Sequence, residues 1–188
     1  MSAQSTHDGV SVDTQRQQAE LSVLAIVPAY NEAGTIADVV SETRAYVDKV
    51  VVIDDASTDN TAEKAREVAD GVVSLPKNMG VGGAVHTGYL VGTREHFDVV
   101  VQIDGDGQHD PADIPRLLAK VVEEDADMVI GSRFLNDSYK EYSVVRRAGI
   151  RFFTWEVNAL SDLDITDVTS GFRAYTTELL ADLSRPEN

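Results

Sequence analysis

Cysteine is absent from the 188 residues. That excludes disulfides, thiolate zinc sites and cysteine nucleophiles, and leaves the reducing cytoplasm as the default compartment. Basic residues are also scarce: 16 Lys and Arg stand against 32 Asp and Glu, a formal net charge of −16. Such a balance argues against general nucleic-acid binding, which needs a positive footprint. A dense acidic surface with few lysines suits a protein adapted to high salt, where its self-repulsion is screened. No apolar run approaches the ~18–20 residues that span a bilayer. Residues 1–20 lack the apolar core of a signal peptide and read as a solvated polar tail. The remainder, 21–188, is enough for one α/β domain and too little for two.

What the chain does have is alternation. Apolar, β-branched runs at 21–27, 50–53, 72–75, 99–103 and 128–130 are the expected strands. Between them, helical spacing marks 35–46, 58–69, 81–91 and 111–124. Ser57 or Thr58 is a plausible N-cap for the second helix, and Asp110-Pro111 opens the fourth. Strict alternation implies a mainly parallel sheet flanked by helices on both faces. Ligands of such sheets bind at the carboxyl ends of the strands. Four polar clusters follow strands and share that rim: 28–32, 54–59, 104–109 and 131–133.

Asp104 and Asp106 carry the strongest chemical signal. In extended backbone, residues i and i+2 point to one side, so both carboxylates and the Gln108 amide face one point. Two carboxylates so close repel unless a cation lies between them, and all-oxygen donors suit Mg²⁺ or Mn²⁺. A calcium loop is excluded, because His109 and Pro115 stand where it needs glycine and glutamate. The competing reading is a solvated acidic turn. Asp54 and Asp55 offer a hydrogen-bond acceptor for a base or ribose, or a cap for the next helix. The glycine-rich stretch 78–84 matches neither a dinucleotide fingerprint nor a P-loop. His109 is a candidate metal or phosphate contact, against the plainer reading of a turn histidine.

A basic island breaks the acidity: Lys140, Arg146, Arg147 and Arg151 stand against Glu141 alone. Interleaved with Val144, Val145, Ile150, Phe152, Phe153 and Trp155, it is the mixture found in segments lying in a lipid interface, or else a helix packed on the sheet.

Taken in order, six motifs resemble family 2 of the glycosyltransferases over about residues 22–183. They are Val27-Pro28-Ala29-Tyr30-Asn31-Glu32, the segment from Asp54 to Thr61, the segment from Asn78 to Ala84, the segment from Asp104 to Pro111, Gly131-Ser132-Arg133, and Thr169-Ser170-Gly171-Phe172-Arg173. Within that family the chain is most similar to the polyprenyl-phosphate sugar synthases, dolichol-phosphate mannosyltransferases among them.

The resemblance implies a GT-A fold binding a nucleoside-diphosphate sugar. Pro28, Tyr30 and Glu32 would contact the nucleoside, and Asp55 the base or ribose. Asp104, Asp106 and Gln108 would hold Mg²⁺ or Mn²⁺ on the diphosphate, with Asp104 also among the nucleotide contacts. Arg133 and Arg147 would meet an acceptor phosphate, and Asp167 would lie near the anomeric carbon. The implied acceptor is a polyprenyl (dolichyl) phosphate, met at the inner face of the cell membrane. A saccharide hydroxyl would instead need a base, for which Asp167 is the nearest candidate. An inactive nucleotide-sugar-binding domain is the third reading. The chain departs from the family pattern in stopping at Asn188, as a truncated catalytic domain would, and in having Arg151 where a small residue is usual. A receiver domain and a sugar nucleotidyltransferase are the rivals from other classes; the first has no use for the Asp104 cluster, and the second needs a basic glycine-rich loop after the first strand.

Overall fold

The computed structural model describes Thr14 and residues 20–131 and 170–183. Arg133, Arg147, Asp167 and the basic island therefore lie outside the described residues.

Six strands form one sheet: β1 (Val23–Ala29), β2 (Lys49–Asp54), β3 (Gly71–Ser74), β4 (Val99–Gln102), β5 (Met128–Ile130) and β6 (Arg173–Thr176), in the order β3-β2-β1-β4-β6-β5. β1 to β4 are parallel. β6 runs antiparallel between β4 and β5, so β5 again points the same way as β4. The five expected strands therefore all run the same way, in keeping with the mainly parallel sheet expected, and β6 is an additional antiparallel strand that the alternation did not indicate. Its four residues, Arg-Ala-Tyr-Thr, are too short to show a period. β1 is buried along its whole length, as a central strand covered on both faces must be.

Among the described residues, five helices cover the sheet: α1 (Ile36–Thr43), α2 (Thr61–Val68), α3 (Gly80–Glu95), α4 (Ile114–Glu123) and α5 (Thr177–Leu183). Successive strand residues divide between two cores, as a period of two requires. Val23, Ala25, Val27, Val99 and Val101 pack with α1, α2 and α4, while Leu24, Ile26, Val51 and Val100 pack with α3 and α5. Ile114, Leu117, Leu118 and Val121 give α4 its apolar stripe, each burial contributing about 1.5–3 kcal/mol. α3 works differently. A Cβ at Gly88 would meet Ile26 Cδ1 at 2.6 Å, and one at Gly92 would meet Val100 Cγ2 at 2.3 Å. Bare backbone lets this helix lie close to the sheet.

Several boundaries differ from expectation. α2 starts at Thr61, not at Ser57 or Thr58, because both of those are engaged by Asn31: Asn31 N donates to Ser57 Oγ, and Thr58 N donates to Asn31 Oδ1. α1 is shorter than the periodic stretch, ending at Thr43. α3 is longer, and the fourth helix opens with a 3₁₀ turn at Pro111–Asp113 capped by Asp110, as the sequence implied. Thr14, in the segment expected to be a solvated tail, is buried, and its hydroxyl donates to Glu123 Oε1 at 2.9 Å.

Candidate active site

The loops after β1, β2 and β4 meet at the carboxyl rim around a cleft lined by Pro28, Ala29, Tyr30, Glu32, Asp55, Val81, Ala84, Asp104, Gly105 and Asp106. Six of the expected contacts are thus brought together: Pro28, Tyr30, Glu32, Asp55, Asp104 and Asp106. Gln108 is exposed and is not among the lining residues.

Two loops are stitched into a single wall. Besides the Asn31 bonds to Ser57 and Thr58, Glu32 N donates to Thr61 Oγ1 at 2.8 Å and Ala33 N to Asp59 Oδ2 at 3.2 Å. Asn31 adopts φ 58°, a left-handed conformation that asparagine tolerates, and Ala56 has the same φ beside Asp55 without that tolerance. Asn31, inside the first motif, is the clasp between the two loops, a duty that the motif itself does not reveal. The local signal for it is an Asx side chain just past the end of β1.

Asp54 and Asp55 divide their duties. Asp54 Oδ1 accepts from Ser57 N at 3.0 Å, closing a turn and not capping the helix. Asp55 is 3 % exposed, and its Oδ1 accepts from Met79 N at 2.6 Å, tying the start of α3 to the cleft. No described residue donates to its other oxygen. Tyr30 and Val81, both lining the cleft, are exposed, as is Met79 at the start of α3.

Asp104 and Asp106 both face the cleft, though not for the reason their spacing suggested. The backbone turns at Gly105 and Asp106 and reaches φ 74° at Gly107, and Gln108 N donates to Asp106 Oδ1 at 3.0 Å. Extended geometry does not hold here, so the inference that Gln108 shares their direction loses its basis. The turn is anchored by Thr35 Oγ1 donating to Gly105 O at 2.7 Å. A Cβ at Gly105 would press on Ala29 and Pro28 O, both at 3.3 Å.

The last motif closes the site. A Cβ on Gly171 would lie 1.9 Å from Asp104 Oδ2, so only glycine leaves room for that carboxylate. Phe172 stacks on the His109 ring, centroids 5.4 Å apart, and His109 Nε2 lies 3.9 Å from Asp104 Oδ2. The histidine side chain is 6 % exposed, held between the acidic turn and the aromatic ring.

Electrostatically the cleft is one-sided. Burial pushes the Glu32 carboxyl up from its ordinary value, opposed by the Thr35 hydroxyl and reinforced by the charges of Asp106, Asp59 and Asp104. Among the described residues no lysine or arginine lines the cleft. No three Asp, Glu or His side chains among them come together as a complete metal cage. Two carboxylates nevertheless fit Mg²⁺ or Mn²⁺, which keep several positions for water and phosphate oxygens.

A mixed sheet with this order, helices on both faces and an acidic cleft at the rim constitute a GT-A fold. It is shared with Mycobacterium tuberculosis glucosyl-3-phosphoglycerate synthase, solved with Mn²⁺, UDP-glucose and phosphoglyceric acid, at a TM-score of 0.70 and 23 % identity over 93 % of this chain and 63 % of that one. Residues 24–184 match the model of glycosyl transferase family 2, and the chain belongs to that family. Membership removes the receiver and nucleotidyltransferase readings. A UDP-N-acetylglucosamine–dolichyl-phosphate N-acetylglucosaminyltransferase of Methanococcus voltae is 29 % identical over 88 % of this chain and 74 % of its own length. An undecaprenyl-phosphate mannosyltransferase of Micrococcus luteus is 33 % identical over 85 % and 68 %. Glycosyltransferase AglJ of Haloferax volcanii is 34 % identical over 87 %, but the chain spans only 53 % of it.

Proposed function

We propose that this chain is the donor-binding catalytic domain of a metal-dependent glycosyltransferase that moves a sugar from a nucleoside diphosphate to a polyprenyl phosphate. The carrying observation is the cleft itself: Glu32, Asp55, Asp104 and Asp106 converge with no cation of the protein's own among the described lining residues. A diphosphate enters such a site against repulsion and binds weakly when unaccompanied, so the acidic floor calls for a divalent cation that arrives with it.

In this reading Asp55 accepts a hydrogen bond from the base or ribose through the oxygen that Met79 leaves open, and Pro28 and Tyr30 flank the nucleoside. Asp104 and Asp106 hold Mg²⁺ or Mn²⁺, with Gln108 contributing after a local rearrangement of its turn. When bound, the cation stabilises the negative charge that develops on the leaving diphosphate. A phosphate acceptor is already anionic, so no strong base is required, and Arg133 and Arg147 would orient it by charge-assisted hydrogen bonds. Asp167 is assigned to the neighbourhood of the anomeric carbon. The relatives named for dolichyl and undecaprenyl phosphate support this acceptor class. No described helix is long and apolar enough to cross a membrane. The mixture of basic and bulky apolar residues at 144–155 is the basis for proposing lipid contact there, at the inner face of the cell membrane.

The test is transfer of labelled sugar from UDP- and GDP-sugars to polyprenyl phosphate, with Mn²⁺ or with chelator. Metal-dependent formation of a lipid-linked sugar is the expected product. Transfer to a saccharide hydroxyl alone would assign a different acceptor and give Asp167 the role of base.

A further inference from the structure

We propose that Ser170 and Arg173 are positioning residues for Asp104, holding the 170–172 turn so that the bare Cα of Gly171 forms the wall against which that carboxylate is set. The inference rests on the reading of Asp104 as a cation ligand. Gly171 lies so near Asp104 that a Cβ there would be 1.9 Å from Oδ2 and 2.4 Å from Cγ. The carboxylate thus occupies the space where any other residue at 171 would place its Cβ, so the position of the turn bounds that of Asp104.

Ser170 fixes it from the β5 side. It is fully buried, its Oγ donates to Gly131 O at 2.6 Å, and Phe172 N donates back to that Oγ at 3.2 Å. Gly131 N donates to Phe172 O at 2.8 Å, so two bonds join the end of β5 to the turn and a third closes the turn on itself. Here, too, glycine is required, since a Cβ at Gly131 would meet Phe172 Cδ1 at 2.5 Å.

Arg173 fixes it from the α3 face. Its Nε donates to Ser170 O at 2.7 Å and its Nη1 to the Tyr175 hydroxyl at 3.2 Å. The Tyr175 ring packs edge-on against Tyr89, centroids 4.9 Å apart, and the Tyr89 hydroxyl donates to Gln102 Oε1 at 3.0 Å. Gln102 is the register partner of Arg173 and stands two residues before Asp104. The guanidinium therefore braces the turn against the same strand that delivers the carboxylate. A lysine could keep the charge but not the two-directional fork.

The experiment compares Ser170→Ala, Arg173→Lys and Gly171→Ala with the wild type by three readouts: thermal melting, UDP and GDP affinity without metal, and Mn²⁺ affinity at saturating nucleoside diphosphate, followed by the electron paramagnetic resonance of free Mn²⁺. All three variants are expected to lose about 10–100-fold in Mn²⁺ affinity, the range for removal of groups that orient a ligand, with metal-free nucleotide affinity unchanged. Should Ser170→Ala fail to melt cooperatively, Arg173→Lys, which keeps the charge and chain length, decides. Folded variants with wild-type Mn²⁺ affinity would overturn the positioning role. Wild-type protein that binds no Mn²⁺ beside the nucleotide would overturn the cation reading itself.

Discussion

Asp55 shows how much a single buried oxygen can specify. With Oδ1 committed to Met79 N and the residue lining the cleft, the side chain anchors α3 and, in the proposed reading, offers its second oxygen to a donor. Asp55→Asn separates those duties, because an amide oxygen keeps the Met79 bond while the amide nitrogen places a donor where an acceptor stood. Metal-free nucleoside diphosphate affinity is expected to fall by about 1–3 kcal/mol, the range for a lost hydrogen bond to a charged group, with melting little changed. Asp54→Asn, at a turn, is expected to leave affinity intact, and titration calorimetry on the pair distinguishes the two. Glu32 adds a pH test. Its carboxyl titrates above the ordinary value, first through burial and then through Asp106, Asp59 and Asp104, with the Thr35 hydroxyl opposing. A raised folded pKa means a contribution present below the unfolded value of 4.5 and lost as pH rises through the folded one. Glu32→Gln is therefore expected to raise the melting temperature of the metal-free protein at neutral pH, with the difference shrinking in acid. Melting curves at two pH values check the sign.

At the scale of elements, α3 is the least conventional piece, a helix whose sheet-facing side is glycine. Gly92→Ala would drive a methyl into Val100 Cγ2, which belongs to the strand leading to Asp104. Overpacking of this kind costs about 1–3 kcal/mol, and a lowered denaturation midpoint with an unchanged m-value is the expected result. α3 was also read from the sequence with its glycines unexplained, since helical spacing reveals a helix but not how near it lies to a sheet. The strands were legible as continuous β-branched runs, and the alternation of cores follows directly from them. β6 was not, because its antiparallel insertion depends on tertiary pairing with β4 and β5. The same limit applied inside the site. The clusters at 28–32, 54–59 and 104–109 were assigned to one rim correctly, and Asp55, Asp104 and Asp106 do share a cleft. What a linear pattern could not show was the turn that replaces extended backbone at Gly105, the clasp of Asn31 on the next loop, and the fit of Gly171 against Asp104.

For the whole molecule the dominant physical fact is charge, −16 over 188 residues. Self-repulsion on that scale opposes compactness and is weakened as the Debye length shortens from ~10 Å at 0.1 M salt to ~3 Å at 1 M. Adaptation to high salt is our proposal for it. The melting temperature is expected to climb steadily between those concentrations in KCl, and a flat profile would assign the acidity some other role. Charge also frames the account of function. In the proposed reading, an acidic protein with an acidic cleft binds a diphosphate only weakly without a counter-cation, so metal is expected to tighten donor binding. The most direct test is titration calorimetry of UDP and GDP into the wild type and Asp106→Ala, each with Mn²⁺ and with chelator. The account predicts affinity that rises with Mn²⁺ in the wild type for at least one nucleotide, and a gain largely lost in a folded Asp106→Ala. Equal affinity with and without metal in both proteins would contradict it.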